Sequence, residues 1–391
     1  MRKFLCGLVA TSWWLAAAPL RAQQPCPSFS VVVNTPEDEL MLAINGAENP
    51  QEQVAALDKF MQEHADSKFI PCVNEYYTAT YLKLNNYDKA IEYAEKDLAA
   101  NYQDLSLLLN LMRAYVASGK VGDTVLDATT KVPDLIKTEI SPSRPPNASD
   151  ADWQKIQDEA AETANNTRAF AVYAFFQVIP RVADPNKRIE WLDKFGKAYP
   201  EAENKYAGQI NNAYFMAYLQ GGQLDKATAA GEKAVAADPS NIAAYNWLAY
   251  VYAIVNRTNL DKAEADAKKA LELTQTMKKP EGAPDDAFKM EVSNQVGMAH
   301  LSLGYIAFLK SSKTKKLQPA IDEFKTAIDS LQGDPAHQGE ATYFLGYAYE
   351  AGYPANHHGA IEALTKSAEL PSRFQNDAKD LLAKVKKAAK E

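Results

Sequence analysis

The sequence predicts an all-α fold, a solenoid of stacked antiparallel helix pairs closed by a C-terminal capping helix. Two observations carry this. A short phrase returns along the chain at a spacing of about 34 residues, the mark of stacked supersecondary units. It reads Leu224-Asp225-Lys226-Ala227, then Ala234 and Asp238-Pro239, with echoes at Tyr87-Asp88-Lys89-Ala90, Leu260-Asp261-Lys262-Ala263 and Pro319-Ala320-Ile321. Within each copy, Ala and Pro also recur at matching offsets. Small residues let two helices approach closely, large ones fill the gap to the next pair, and Pro ends a helix because it cannot continue one. An irregular helical bundle would not repeat these offsets.

The elements follow in order. Residues 1–22 have a basic start (Arg2, Lys3), an apolar run from Phe4 to Leu20 and a small residue, Ala22, before an expected cut that leaves Gln23 first. This is the pattern of a secretory leader, and the run is too short for a membrane anchor. No membrane span is expected after cleavage. The Gln24-Pro25-Cys26 context does not fit lipid attachment.

Residues 23–138 hold N-terminal helix pairs at 36–67, 71–104 and 105–138. In the first pair only the second helix is clear, through Val54, Leu57, Phe60 and Met61. In the third, Thr124 stands where Ala is usual. Residues 139–168 are an insertion: a Pro- and Ser-rich loop over 139–150, then a helix from Asp152 toward Phe176. The main array spans 169–371, with pairs at 169–202, 208–241, 242–275, 297–335 and 339–370. Its clearest copy, 208–241, has Tyr214, Phe215 and Tyr218 on the first helix and a Gly221-Gly222 turn. Leu224, Ala227, Gly231 and Ala234 form the second helix, before Pro239. The 242–275 copy carries about two extra residues in its turn. Residues 276–287 form a second loop, and 310–316 a Lys-rich swollen turn. From Ser372 to Lys390, apolar Phe374, Ala378, Leu381, Leu382 and Val385 alternate with Lys. This suits a capping helix over 372–391 with one soluble face.

These spacings resemble the tetratricopeptide repeat over nearly all of 36–370. The resemblance implies a right-handed superhelix whose first helices line an inner groove for a protein or peptide partner. Carried over position by position, the groove residues are Tyr173 and Gln177, then Gln209, Asn212, Met216 and Gln220. Asn246 and Tyr250 follow, then Met298, Leu301, Tyr305 and Phe308, and last Tyr343, Tyr347 and Glu350. Asn212 and Asn246 fall at equivalent places, and an amide can pair with an extended peptide backbone. Equally, the Tyr run serves simply to pack repeat on repeat. The Lys and Asn clamp by which some members of this family grip a C-terminal carboxylate is missing.

Composition restricts the rest. Hydrophobic residues at 47% and charged residues at 24% are ordinary for a folded chain. Loss of 1–22 removes Arg2, Lys3 and Arg21 and no acid, so the formal charge of −8 becomes −11. Such a chain is disfavoured as a nucleic-acid or anionic-membrane binder. Cys26 and Cys72 remain, an even count that points to a disulfide in an oxidising compartment, two buried thiols being the alternative. Closing that loop is worth roughly 4 kcal/mol in the chain-entropy picture.

No catalytic motif is present, so no enzyme is expected. No cofactor or metal is expected either. His357-His358 lacks a third ligand at a recognisable spacing, His300 sits at a packing position, and the acidic loops lack calcium spacing. Three Asn-x-Ser/Thr triplets, at Asn147, Asn165 and Asn256, matter only in a eukaryotic route, and the leader with Ala-rich repeats reads as bacterial. The expected function is a non-enzymatic protein- or peptide-binding scaffold of the cell envelope, periplasmic or secreted. The alternative is a carbohydrate or small-ligand binder using an aromatic-lined groove.

Overall fold

The computed structural model describes residues 34–100, 104–201, 205–280 and 282–389. The expected leader and Cys26 lie outside the described residues. The chain divides into two compact units at the 206/207 boundary.

In the first unit the helices are α1 (Pro36–Gly46), α2 (Pro50–Glu63), α3 (Ile70–Lys83), α4 (Tyr87–Ala99), α5 (Leu105–Ser118), α6 (Asp123–Glu139), α7 (Asp150–Val178) and α8 (Pro185–Ala198). Each of α1 to α6 packs on its successor, α3 also meets α5, α5 meets α7, and α6 meets both α7 and α8. The second unit holds α9 (Ala207–Gln220), α10 (Leu224–Ala237), α11 (Ile242–Tyr250), α12 (Leu260–Thr274), α13 (Asp285–Ser311), α14 (Gln318–Ser330), α15 (Pro335–Ala351), α16 (His357–Glu369) and α17 (Gln375–Ala388). Again each helix packs on the next, and α11 meets α13, α13 meets α15, and α15 meets α17. This is the stacking of antiparallel pairs expected of tetratricopeptide-type repeats, closed by the capping helix. Among the described residues every regular element is helical.

Local chemistry starts most helices. Asn49, Asp184 and Asp334 each precede a Pro at the first helical position, and their side chains accept from the backbone N–H of Glu52, Asn186 and His337. A Pro there gives up an N–H that had no partner in any case. Asn241 and Asn356 cap α11 and α16 in the same way. The extra residues of the 242–275 copy are absorbed in one π-helical turn, Val251–Asn256. It ends on Arg257 and Asn259, both with positive φ.

Helices run further than their repeats at three places. The insertion helix α7 begins at Asp150 and continues through Val178, so loop and repeat share one long helix. Its first half is largely exposed, while Ala171, Val172, Ala174, Phe175 and Val178 are buried. Helix α13 starts at Asp285, twelve residues before its repeat, and α15 starts at Pro335, four residues before its own.

The core depends on small residues at helix crossings. Ala227, Ala234, Ala263, Ala320 and Ala360 have no accessible surface. Gly304 faces Phe324 so closely that an added Cβ would lie 2.6 Å from its ring, and at Gly346 the Cβ would lie 2.7 Å from Leu364. Phe324 and Leu364 are themselves fully buried, so neither can move aside freely. Ala227→Leu and Gly346→Ala should therefore each lose about 1–3 kcal/mol by overpacking. Chemical denaturation measures this, and wild-type stability in both variants would mean that these residues are not at the crossings.

Candidate functional site

The inner-face residues read from the sequence have different environments in the structure. On α9, Gln209 is exposed, and Asn212 and Met216 are half-buried. On α11, Asn246 is only 1% exposed. Its Nδ2 donates to the backbone oxygen of Gln295 at 2.9 Å and to Oε1 of the same residue at 2.8 Å. Tyr250 is buried too, and its hydroxyl donates to Glu340 Oε2 at 2.7 Å. Both side chains work inside the fold, so the expected equivalence of Asn212 and Asn246 as peptide contacts does not hold here. Met298, Leu301 and Tyr305 on α13 are buried.

An aromatic ledge remains accessible where α13 meets α15. Tyr305 lies 4.8 Å from Phe344, and Phe308 meets Tyr347 edge-on at 5.5 Å. Tyr343 lies 6.3 Å from Tyr347 and stacks on Phe374 at 4.8 Å with nearly parallel rings. Tyr347 is 42% exposed, and Phe308 and Tyr343 are half-buried. Glu350, one turn further on, has its Oε2 2.8 Å from His357 Nδ1. The structure thus brings together Tyr305, Phe308, Tyr343 and Tyr347 from the expected set and joins Phe344 and Phe374 to them.

Four further residues border this face that the repeat positions do not mark: Trp247, His337, Glu340 and Arg373. His337, Glu340, Phe344 and Tyr347 follow one another at helical spacing on α15, so the face of Tyr347 extended backward was the available signal. Arg373 lies in the link before α17, where nothing local marks it.

Tyr173 belongs to the first unit. It is exposed on α7, with its ring 6.3 Å from Phe170, over which the Arg113 guanidinium lies at 5.5 Å. The same unit contains a cavity of about 380 Å³ lined by Arg168, Val172, Tyr199, Lys205 and Tyr206, among others. Arg168 Nε stands 3.3 Å from Glu201 Oε1 at this cavity. The Tyr199 hydroxyl donates to the Thr129 carbonyl at 2.6 Å.

Among the described residues, no three His, Cys, Asp or Glu side chains stand close enough to hold a metal ion. His300, His337 and His357 are each paired with one carboxylate, from Glu323, Asp334 and Glu350. No described helix is long and apolar enough to cross a membrane. Cys72 is buried on α3.

Comparison with known proteins adds structural likeness only. No family model matches the chain, and no curated protein matches it. Among solved structures, the chain is similar to the C-terminal part of a TPR repeat-containing protein from Cytophaga hutchinsonii. The identity is 16% and the TM-score 0.38, over 78% of this chain and 98% of that one. It is also similar to a chain of the APC/C hetero-tetramer Cut9–Hcn1, at 13% identity and TM-score 0.29 over 91% of each chain. A monomeric IFIT1 mutant with m7Gppp-AAAA matches at 14% identity and TM-score 0.28, over 85% of this chain and 70% of that one.

Two buried carboxyls have strongly shifted acidity. Burial pushes Asp266 up to about 6. Burial, opposed by the Asn74 hydrogen bond and aided by the Glu75 and Asp104 charges, pushes Asp97 up to about 8. Asp97 has no accessible surface, Asn74 Nδ2 donates to its Oδ1 at 2.8 Å, and its Oδ2 has no hydrogen-bond partner. A group so enclosed touches no substrate, so this shift concerns stability. The folded chain keeps the Asp97 proton up to about pH 8, whereas the unfolded chain releases it near 3.8. Between these limits the folded state binds the extra proton, and stability falls as pH rises. The slope should approach about 1.4 kcal/mol per pH unit. Asp97→Asn keeps the shape and should flatten this dependence and stabilise the protein at pH 8. Melting curves from pH 4 to 8 measure it, and an unchanged slope would refute the assignment.

Proposed function

We propose that this protein is a non-enzymatic scaffold that holds a protein or peptide partner on the accessible face of its second unit. The observation that carries this is the aromatic ledge of Phe308, Tyr343 and Tyr347. It is anchored from behind by buried Tyr305 and Phe344 and by Phe374. Rigid aromatic side chains offer contact area with little entropy to lose on binding. On α9, the accessible Gln209, Asn212 and Met216 add amide donors and acceptors beside a pliable apolar group.

The leader-like start supports an exported, periplasmic or secreted protein in the bacterial envelope. A disulfide between Cys26 and Cys72 fits the same compartment, and the burial of Cys72 on α3 is compatible with one. The acidic balance supports protein partners over nucleic acid.

One observation favours a different occupant. The 380 Å³ cavity of the first unit has Tyr walls and an Arg168–Glu201 pair at its side, the mix of apolar lining and few polar groups that small ligands use. A carbohydrate or other small ligand would enter there.

The test is a cross-linked capture from the native envelope with tagged residues 23–391, beside Phe308→Ala/Tyr347→Ala and Asn212→Ala/Met216→Ala variants. The expected outcome is a partner retained by the wild type and lost by at least one folded variant. A partner retained equally by both variants would remove these faces from the proposal. A thermal shift with a panel of sugars, and none with a partner, would instead support the small-ligand occupant.

A further inference from the structure

In a stack of helix pairs, each pair normally touches only its neighbours. Here α11 reaches past the α13–α14 pair to α15. The Tyr250 hydroxyl donates to Glu340 Oε2 at 2.7 Å across ninety residues of chain. His337 packs edge-on against Trp247 at 5.4 Å and against Tyr250 at 5.5 Å. Its Nδ1 is 2.5 Å from Asp334 Oδ2, which fixes the ring. The remaining oxygen of Glu340, Oε1, is 3.2 Å from Arg373 Nε. That guanidinium lies over Tyr250 at 5.4 Å and over Phe374 at 4.8 Å. Both oxygens of one buried carboxylate are therefore occupied, one by α11 and one by the link between α16 and α17.

We propose that Tyr250, Glu340 and Arg373 form a clasp that holds the inner face between α11 and α15 closed, and that releasing it is the conformational step that opens this face. Three features distinguish a clasp from ordinary core. Its contacts join second neighbours, so it acts on the curvature of the stack and not on the stability of any one pair. Its members are polar and charged, whereas apolar residues of similar shape would commonly hold as well or better. Its cation stands at the edge: the Arg373 side chain is 43% exposed, while Glu340 is buried. Solvent thus reaches the outer half of the bridge, and Arg373 can leave with its link without unwinding a helix. The clasp stands on this geometry alone, whatever occupies the aromatic ledge.

The test measures distance across the bridge in the full chain. Spin labels are coupled through non-natural side chains at Lys268 on α12 and Lys366 on α16, which are 64% and 67% exposed and form only surface pairs one turn away. The wild type should give one narrow distance distribution. Arg373→Ala and Glu340→Gln should each broaden it and move it to longer distances. Tyr250→Phe, which removes only the hydroxyl, should give a smaller change in the same direction. Helical content should remain that of the wild type in all three. Should Arg373→Ala lose helix, the isosteric Glu340→Gln variant decides the matter. A narrow, unshifted distribution in folded Glu340→Gln would overturn the clasp.

Discussion

The structure depends on close contact between helices inside each pair, which only small side chains permit. Ala227, Ala234, Ala263, Ala320 and Ala360 are sealed from solvent at such crossings. At Gly304 and Gly346 even a methyl group would collide with a buried Phe or Leu. Once two helices meet this closely, their outward faces present Tyr, Phe and Leu to the next pair. The core of the second unit is therefore a continuous strip, running from Phe215 through Leu248, Tyr305 and Phe324 to Leu345. Each link buries apolar surface that a lone pair would leave wet, at roughly 25 cal/mol per Å². The array has no single centre, and its stability comes from many local contacts.

Polar groups inside this strip give it definition. An apolar interface can slide, whereas a buried amide or carboxylate strongly disfavours any arrangement that leaves it without a partner. Asn246 with Gln295 ties α11 to α13, and Glu340 ties α11 to α15 and to the link before the cap. In the first unit Asn74 with Asp97 joins α3 to α4. Some of these groups have more hydrogen-bonding capacity than the fold uses, as the orphaned oxygens of Asp97 and Asn246 show. Definition and maximal stability are not the same property here.

Function follows from what this packing leaves over. A helix facing an inner surface can use its large residues on its own neighbours or on a partner, but not on both. Helix α11 uses Trp247 and Tyr250 internally, through its contacts with α15. Helix α9 keeps Gln209, Asn212 and Met216 accessible, and the far end of α15 keeps Tyr347. The accessible positions are therefore distributed at the two ends of the second unit's inner face, with a closed stretch between them.

Local sequence pattern is enough to specify the helical pairs. The contacts that define a pair lie within about thirty residues, and their requirement for small residues, large residues and terminal Pro or Asn is written at fixed offsets. That is why the stacked pairs and the capping helix were legible, while the first helix of the 36–67 pair and the joining of the insertion to its repeat through one continuous helix, Asp150–Val178, were not. The fate of the inner face could not be read in the same way. Asn212 and Asn246 hold equivalent places in their repeats, yet one is half-accessible and the other is sealed against Gln295. Asn246 is sealed because Gln295 of the next pair reaches it, and its neighbours Trp247 and Tyr250 are covered because His337 and Glu340 come from the pair beyond. Such an approach sums small rotations over several crossings. No local pattern records that sum, so only the tertiary structure decides which side chains of an otherwise regular repeat remain free to meet a partner.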